Sequence, residues 1–386
     1  AGSEAKAWID NISASQPDVQ TQGNTVNTMA NIGSLANVQG GMNAMSSFTS
    51  NSIASNIGSE SRPMLGNRGQ VSGVRKSGGL RNVAVNAKDA GKIETVEQGK
   101  ASEVMPTQYE EQKYGKEVWA SFIHSKTKIE GMKTGHLEQN STLQYNGTVV
   151  GVDLWSGRHG FGGVALTYGN GNFHSDQMVS KVKNDADYYG INVYNRQDVG
   201  KFSFQYDAGF TYAKNDVTMS TTGAEDVTAK PKVRAYSAGI KVEEPIKVGR
   251  ATEVVPFAGA RYTFVKSKEY QNSLGLGYDV DNQHLVKIPV GMSLRTKYLD
   301  KSGWKLGTTL SGGYSWNLCN RSSQQRVSFG GYSDMIDFDI ADRGEYFINA
   351  AVQAEYENLL FELGYNYSKG KTTRSNKWYV SANLGF

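Results

Sequence analysis

Between Glu117 and Phe386 the chain repeatedly alternates one apolar or aromatic residue with one small or polar residue. A period of two puts the two sets on opposite faces of an extended strand. In WKLGTTLSGGYSWNL one face holds Trp304, Leu306, Thr308, Leu310, Gly312, Tyr314, Trp316 and Leu318, and the other holds Lys305, Gly307, Thr309, Ser311, Gly313, Ser315 and Asn317. FSFQYDAGFTY sets Phe202, Phe204, Tyr206, Ala208, Phe210 and Tyr212 against Ser203, Gln205, Asp207, Gly209 and Thr211. EYFINAAVQAEY repeats the scheme from Glu345 to Tyr356. Aromatics gather near segment ends with aliphatics between them, as interfacial girdles around a hydrocarbon band require. A soluble sandwich also alternates, but its buried face is seldom this aromatic at the rims while the other is this rich in Gly and Ser. The pattern therefore predicts a barrel whose apolar face meets lipid.

Twelve strands are expected, over residues 117–127, 144–155, 161–173, 186–195, 201–214, 233–244, 253–266, 285–298, 304–318, 344–356, 359–368 and 377–386. Gaps after even-numbered strands are short, whereas those after odd-numbered strands run long, up to the stretch from Cys319 to Arg343. An even count with short turns at one end and long loops at the other returns both chain ends to the short-turn side, as in outer-membrane barrels. The expected fold is thus all-β, a twelve-stranded antiparallel transmembrane β-barrel. Twelve strands fall between a lumen that side chains fill and an aqueous channel, and admit something about as thick as an α-helix, roughly 10–12 Å. Gly and Ser on the lumen side leave that space open.

Composition narrows the alternatives. The chain has 386 residues and a formal charge of +4; residues 1–115 carry ten Lys and Arg against ten Asp and Glu, so the excess lies in the remainder. That is too slight for a nucleic-acid footprint. No run approaches 18 apolar residues, and mean hydropathy is −0.50, which excludes a spanning helix but not a barrel. Cys319 is the sole cysteine, so no internal disulfide framework or thiolate metal cluster forms within one chain. His124, His136, His159, His174 and His284 lack ligand spacing. The glycines of GLGYDV and GNGNF lie at strand ends, without the helix a phosphate-cradling loop needs. No cofactor or metal is expected. The chain starts at Ala1 without an initiator Met or signal peptide, which suggests a mature or excised piece of something longer.

The chain changes material near residue 115, from Gly, Ser, Asn and Ala to regularly spaced aromatics. Residues 24–58 read as a pore helix, 59–116 as a polar linker and 117–386 as the barrel; residues 1–23 precede them and, on the resemblance described below, form the end of a passenger or linker. Within 24–58, Val26, Met29, Ile32, Leu35, Val38, Met42, Met45 and Phe48 recur every three or four residues, the helical spacing. Gly40 and Gly41 would weaken an isolated helix by roughly 1 kcal/mol each, so this thin segment suits a tube that contacts it on every side. Strand parity turns Asp207, Lys241, Glu243, Arg261, Lys287, Arg295, Lys297, Glu345, Glu355 and Glu362 toward the lumen. Their mixed signs suit positioning of a polar occupant or, in the bland reading, a solvated lining.

Two stretches carry a resemblance. The closing strand, KWYVSANLGF, has a final aromatic, Phe386, with Leu384, Ala382, Val380 and Trp378 at alternate positions, and resembles the assembly signal of outer-membrane proteins. GKEVWASFIHSKTKI resembles the opening strand of the C-terminal translocator unit of classical monomeric autotransporters, where a Trp follows a short linker. The resemblance covers about 117–386 and the segment before it. It implies a monomeric barrel in the bacterial outer membrane, among its lipid and lipopolysaccharide. Periplasmic chaperones and the barrel-assembly machinery would deliver and insert it, with termini toward the periplasm and long loops outside. The preceding segment would thread through the pore, exporting an N-terminal passenger by type V secretion. One departure is that some sixty polar residues, Gly58 to Lys116, separate the pore segment from the first strand, where many members have a short linker. Some relatives cut their own pore segment through an Asn side chain; Asn24, Asn27, Asn31, Asn37 and Asn43 lie in the right region, but the adjacent Asn pair of that subgroup is missing.

The competing readings are a porin, an adhesin acting through its loops, and a barrel hydrolase using rim residues such as His174 and Asp176. Two residues at one loop do not make a catalytic constellation, so no catalytic residue is assigned.

Overall fold

The computed structural model describes residues 116–386 apart from 135–136, 158, 177–179, 222–225, 250, 300–303, 319–321 and 330–331. The expected pore helix over 24–58, with Val26 through Phe48, lies outside the described residues, as do the segments 1–23 and 59–115.

Twelve long antiparallel strands follow one another around a closed wall: β1 (Glu117–Thr134), β2 (Leu137–Gly157), β3 (Gly160–Asp176), β4 (Ser180–Val199), β5 (Phe202–Thr221), β6 (Lys232–Glu243), β7 (Thr252–Ser267), β8 (Gln283–Leu299), β9 (Lys305–Asn317), β10 (Gly344–Tyr356), β11 (Leu359–Lys369) and β12 (Thr373–Gly385). Each pairs with its successor, and β12 pairs with β1 in unbroken register from Glu117↔Gly385 to Ile129↔Thr373. Closure leaves no edge in this wall, the condition for a sheet in hydrocarbon, where an unpaired backbone group has no water to bond.

The outward face carries the apolar set. Leu166, Ile191, Val193, Leu310, Ile348, Val352, Leu363 and Val380 are all exposed. A continuous band of this kind is far larger than the patches soluble monomers show, and lipid is the solvent that suits it. Aromatic pairs edge the band: Tyr168 with Tyr189, Phe210 with Tyr236, Tyr314 with Tyr346 and Tyr365 with Trp378 on one side, and Trp304 with Tyr356 on the other.

Strand length departs from the sequence reading. A tilted strand crosses the hydrocarbon with about 9–11 residues. Strands β9 to β12 have 13, 13, 11 and 13, whereas β1 to β5 have 18, 21, 17, 20 and 20. Much of the sequence expected as loop after odd-numbered strands is therefore strand. Only residues 135–136 separate β1 from β2, and 177–179 separate β3 from β4. The cause is a change of polarity without a change of register. Along β4 the outward residues run Val193, Ile191, Tyr189 and then Asp187, Asp185, Lys183, while the inward ones run Arg196, Tyr194, Asn192 and then Tyr188, Ala186, Val182. Above the aromatic edge the wall is polar outside and apolar inside, like any water-soluble barrel.

A second closed ring crowns the first. The stretch Cys319–Arg343, expected as a loop, contains a hairpin, Ser322–Phe329 with Tyr332–Asp339. Its second strand touches the top of β1 at Phe338↔Thr134, and its first pairs with Gly277–Val280. From there pairing passes through Tyr270–Gln271, the bridge Asn272↔Ala229 and Val227–Ala229 to β5, then back along β4, β3 and β2 to β1. The hairpin thus closes the wall above the point where β9 to β12 stop. Val280, Leu285, Phe338, Ile340 and Ala341 pack as a buried cluster there. Asp342 locks the end of this excursion by accepting from the backbone nitrogens of Thr372, at 3.0 and 3.1 Å, and of Thr373, at 3.0 Å.

Several of the inward glycines are covered by aromatic rings from neighbouring strands. Trp119 faces Gly151, Tyr194 faces Gly163, Tyr379 faces Gly364 and Phe347 faces Gly313 across neighbouring strands. A Cβ at Gly364 would stand 2.1 Å from Tyr379 Cζ, and one at Gly151 would stand 2.2 Å from Trp119 Cε2. Each ring lies flat on the wall where its neighbour has no side chain, which keeps bulk out of the lumen.

Candidate functional site

The site is the inner wall in the half of the barrel that holds Lys116 and Phe386. Strand β6 presents Lys241 and Glu243, and β8 presents Arg295, two strands away. An arginine is long enough to reach past β7, and Arg295 Nη2 lies 3.0 Å from both carboxylate oxygens of Glu243. Lys241 Nζ is 2.7 Å from Oε1, and Arg196 Nη1 of β4 is 3.8 Å from Oε2. Glu243 is fully buried, so three cations converge on a carboxylate screened from water. Arg196 is anchored in turn, with Nη2 2.7 Å from Ser203 Oγ and Nε 3.3 Å from Asp198. One hub ties β4, β5, β6 and β8 together.

The next pair is Asp207 of β5 with Arg261 of β7, a two-pronged contact of 2.6 and 2.8 Å. Gly239 of β6 lies in register between them, and a Cβ there would sit 2.6 Å from Arg261 Nη2. The glycine leaves room for the Arg261 guanidinium where the pair meets across an intervening strand. Farther round, Lys305 Nζ is 3.4 Å from Glu355 and Gln353 donates to Glu362, while Lys287 bonds Glu345 at the opposite end of the wall, next to Tyr346 of the upper aromatic edge.

At the closing seam, Asn383 Nδ2 donates to Glu117 Oε2 at 3.1 Å, and Ser381 Oγ donates to Ser121 Oγ at 2.9 Å. Asp153 accepts from the Glu117 nitrogen at 3.1 Å and from the Tyr194 hydroxyl at 2.8 Å. Trp119 Nε1 donates to that hydroxyl at 2.9 Å. The first strand is held by side chains as well as by its ladder.

Of the ten charges expected inside, Glu243 gathers Arg295 and Lys241, Asp207 meets Arg261 and Lys287 meets Glu345. Glu355 and Glu362 bond residues not on that list. Lys297 pairs through its backbone with Gly307, and its side chain lies outside the described residues. Sequence reasoning missed Arg196, Lys305, Asp153 and Glu117. Arg196 shares parity with Asn192 and lies one residue beyond the expected strand, so extending that strand would have found it, whereas Glu117 shares parity with Ser121 and already opened the first expected strand.

Trp378, Val380, Leu384 and Phe386 are exposed on the outward face, with Ala382 half-exposed between them. His174 is exposed on the outer wall, between Thr142 and Lys183 in register, and away from the lumen. Among the described residues no three His, Cys, Asp or Glu side chains are grouped to hold a metal ion.

The family model for the autotransporter beta-domain matches residues 118–368. No curated protein matches the sequence. The translocator domain of the autotransporter NalP from Neisseria meningitidis superposes with a TM-score of 0.56 at 14% identity, covering 79% of this chain and 99% of that one. The transport unit of AIDA-I from Escherichia coli gives 0.54 at 13%, covering 70% and 90%, and the beta domain of the Bordetella autotransporter BrkA gives 0.54 at 15%, covering 70% and 100%. With well over half its length matched by that model, the chain belongs to the autotransporter beta-domain family, the outer-membrane barrels that export an attached N-terminal passenger.

Proposed function

We infer that the passenger leaves through the lumen, entering at the rim where Lys116 and Phe386 meet and emerging at the crowned end, which faces the outside of the cell. The observation that carries this is the bond from the Phe386 nitrogen to the Lys116 carbonyl, 3.0 Å long. The polypeptide enters the barrel at the level where it ends, so anything N-terminal to Lys116 starts at that rim and must cross the bilayer to reach the other.

Segment 24–58, with Val26, Met29, Ile32, Leu35, Val38, Met42, Met45 and Phe48, occupies the lumen after export. The paired charges hold the strands in register and keep the entry half wet, so an extended chain passes without adhering. Their carboxylates are occupied by Arg, Lys and amide partners, which favours a wall over an acid–base site, and the domain is not an enzyme. Its full ring of paired strands favours a monomer. The outward face of β12, from Trp378 to Phe386, is what periplasmic chaperones and the barrel-assembly machinery read.

A reporter fused ahead of Ala1 tests the reading. External protease should digest it on intact cells, and a reporter found only in the periplasm overturns the proposal.

A further inference from the structure

Above the lipid edge of β2 to β6 the outer wall carries three rows in strict register. The lowest is tyrosine: Tyr168, Tyr189 and Tyr212 stand side by side on β3, β4 and β5. The next reads Asn146, Asn170, Asp187, Lys214 and Lys232 from β2 to β6. The third reads Gln144, Asn172, Asp185 and Asp216, with Lys230 3.3 Å from Asp216. The upper two rows line an open cleft of about 510 Å³, within the usual range of small-molecule sites.

Its side chains are pre-set. Asn146 Oδ1 is 2.7 Å from His124 Nδ1, and Asn146 Nδ2 donates to Asn170 Oδ1 at 3.4 Å. Asn172 Nδ2 donates to Asp185 Oδ1 at 2.5 Å, and Lys214 Nζ stands 5.4 Å from the centre of the Tyr189 ring. Asp187, in the middle, makes no ion pair or side-chain hydrogen bond among the described residues. What these contacts leave over is a set of planar amides and a carboxylate, alternating donors with acceptors.

The charges balance, with Asp185, Asp187 and Asp216 against Lys214, Lys230 and Lys232. That balance selects neither a bare phosphate nor a bare cation. Paired amide and carboxylate groups suit neighbouring hydroxyls, and tyrosines below offer rings for an apolar sugar face. The rows stand roughly 7 and 13 Å along the strand from the tyrosines. Tyrosine marks the boundary between hydrocarbon and headgroup, so the cleft opens at headgroup depth. We propose that this cleft binds the saccharide of a glycolipid in the leaflet around the barrel. The proposal rests on the orientation inferred above.

The test uses the full chain refolded into vesicles of phospholipid alone or of phospholipid with lipopolysaccharide, then extracted mildly and weighed by native mass spectrometry. Lipopolysaccharide should stay with the wild-type barrel, and the variant Asn170→Ala with Asp187→Ala should retain at least tenfold less. Heat-modifiable migration on gels verifies that the variant is folded, and Lys266→Ala serves as an outer-wall control with unchanged retention. Equal retention by the double variant overturns the proposal. Delipidated core oligosaccharide should compete only weakly; competition as strong as that of the intact glycolipid overturns the lipid source. Orientation is read separately, by labelling Asp216→Cys in a Cys319→Ser background with an impermeant maleimide on intact cells. Absence of labelling overturns the orientation itself, whereas labelling with equal retention overturns the saccharide site alone.

Discussion

At the scale of single residues, the wall is built from complementary pairs rather than a central core. Glycine facing an inward ring is one kind, seen at Gly364 with Tyr379 and at Gly151 with Trp119. Replacing Gly364 by Val forces the Tyr379 ring off the wall and should cost about 1–3 kcal/mol. Urea unfolding of the detergent-solubilised barrel measures this, and adding Tyr379→Ala should return less than the sum of the two single effects, because the residues touch. The other kind is the buried ion pair. Glu243→Ala strands Arg295 and Lys241 without their shared anion and should cost about 3–5 kcal/mol, while replacing Glu243 and Arg295 together by apolar residues should cost much less. Sequence parity could place Glu243 on the inner face, but parity says nothing of height or of reach. That Arg295 passes over β7 to find Glu243 was therefore beyond it.

At the scale of elements, strand centres were legible and strand ends were not. The centre of β9 sets an outward face carrying Leu306, Leu310, Tyr314 and Trp316 against inward Gly307, Thr309, Ser311, Gly313 and Ser315, and the same parity holds along its whole length. The upper part of β2 reverses the rule, with Leu143 and Tyr145 buried inside and Gln144 and Asn146 facing out. A reader tracking outward apolar residues stops where the solvent changes from lipid to water, although the hydrogen-bond ladder continues. The hairpin Tyr270 to Val280 shows what holds the upper ring. Asn272 Oδ1 accepts from the nitrogens of Leu274 and Leu276 at 3.0 and 2.9 Å, and its Nδ2 donates to the Tyr278 hydroxyl at 3.0 Å. Burial, and then the neighbouring Tyr270, push the Tyr278 phenol well up. A raised folded-state value means the native state keeps its proton where the unfolded chain would lose it, so this contribution is complete below about pH 10 and declines as pH rises further. Hydrogen-exchange protection in the 270–280 segment, taken relative to the intrinsic base-catalysed rate at each pH, should fall above that pH in the wild type and much less in Tyr278→Phe. The closing pair makes its own prediction: deleting Leu384 to Phe386 removes the end of the β1–β12 ladder and should sharply lower the heat-modifiable fraction recovered from outer membranes.

At the scale of the whole molecule, the two rings do different things. The lower ring meets lipid outside and carries paired charges inside; the upper ring meets water outside and packs Val280, Leu285, Phe338 and Ile340 inside. An apolar constriction above a wet lumen resists ions even where there is room for water. Replacing residues 321–340 with a short Gly-Ser linker should leave insertion and heat-modifiability intact, since among the described residues none of the twelve lower strands pairs with the hairpin except at Thr134. In barrels that begin at Lys116, and so lack segment 24–58, conductance in planar bilayers should rise several-fold when the hairpin is replaced.

The number of strands, their inward and outward faces and the membrane they require followed from the sequence alone, because a period of two and the polarity of each face are properties of neighbouring residues. The upper ring, the hub at Glu243 and the glycine-to-ring pairs were decided by tertiary structure. Each depends on register between strands, and register is fixed by closure of the whole wall, which no single segment encodes.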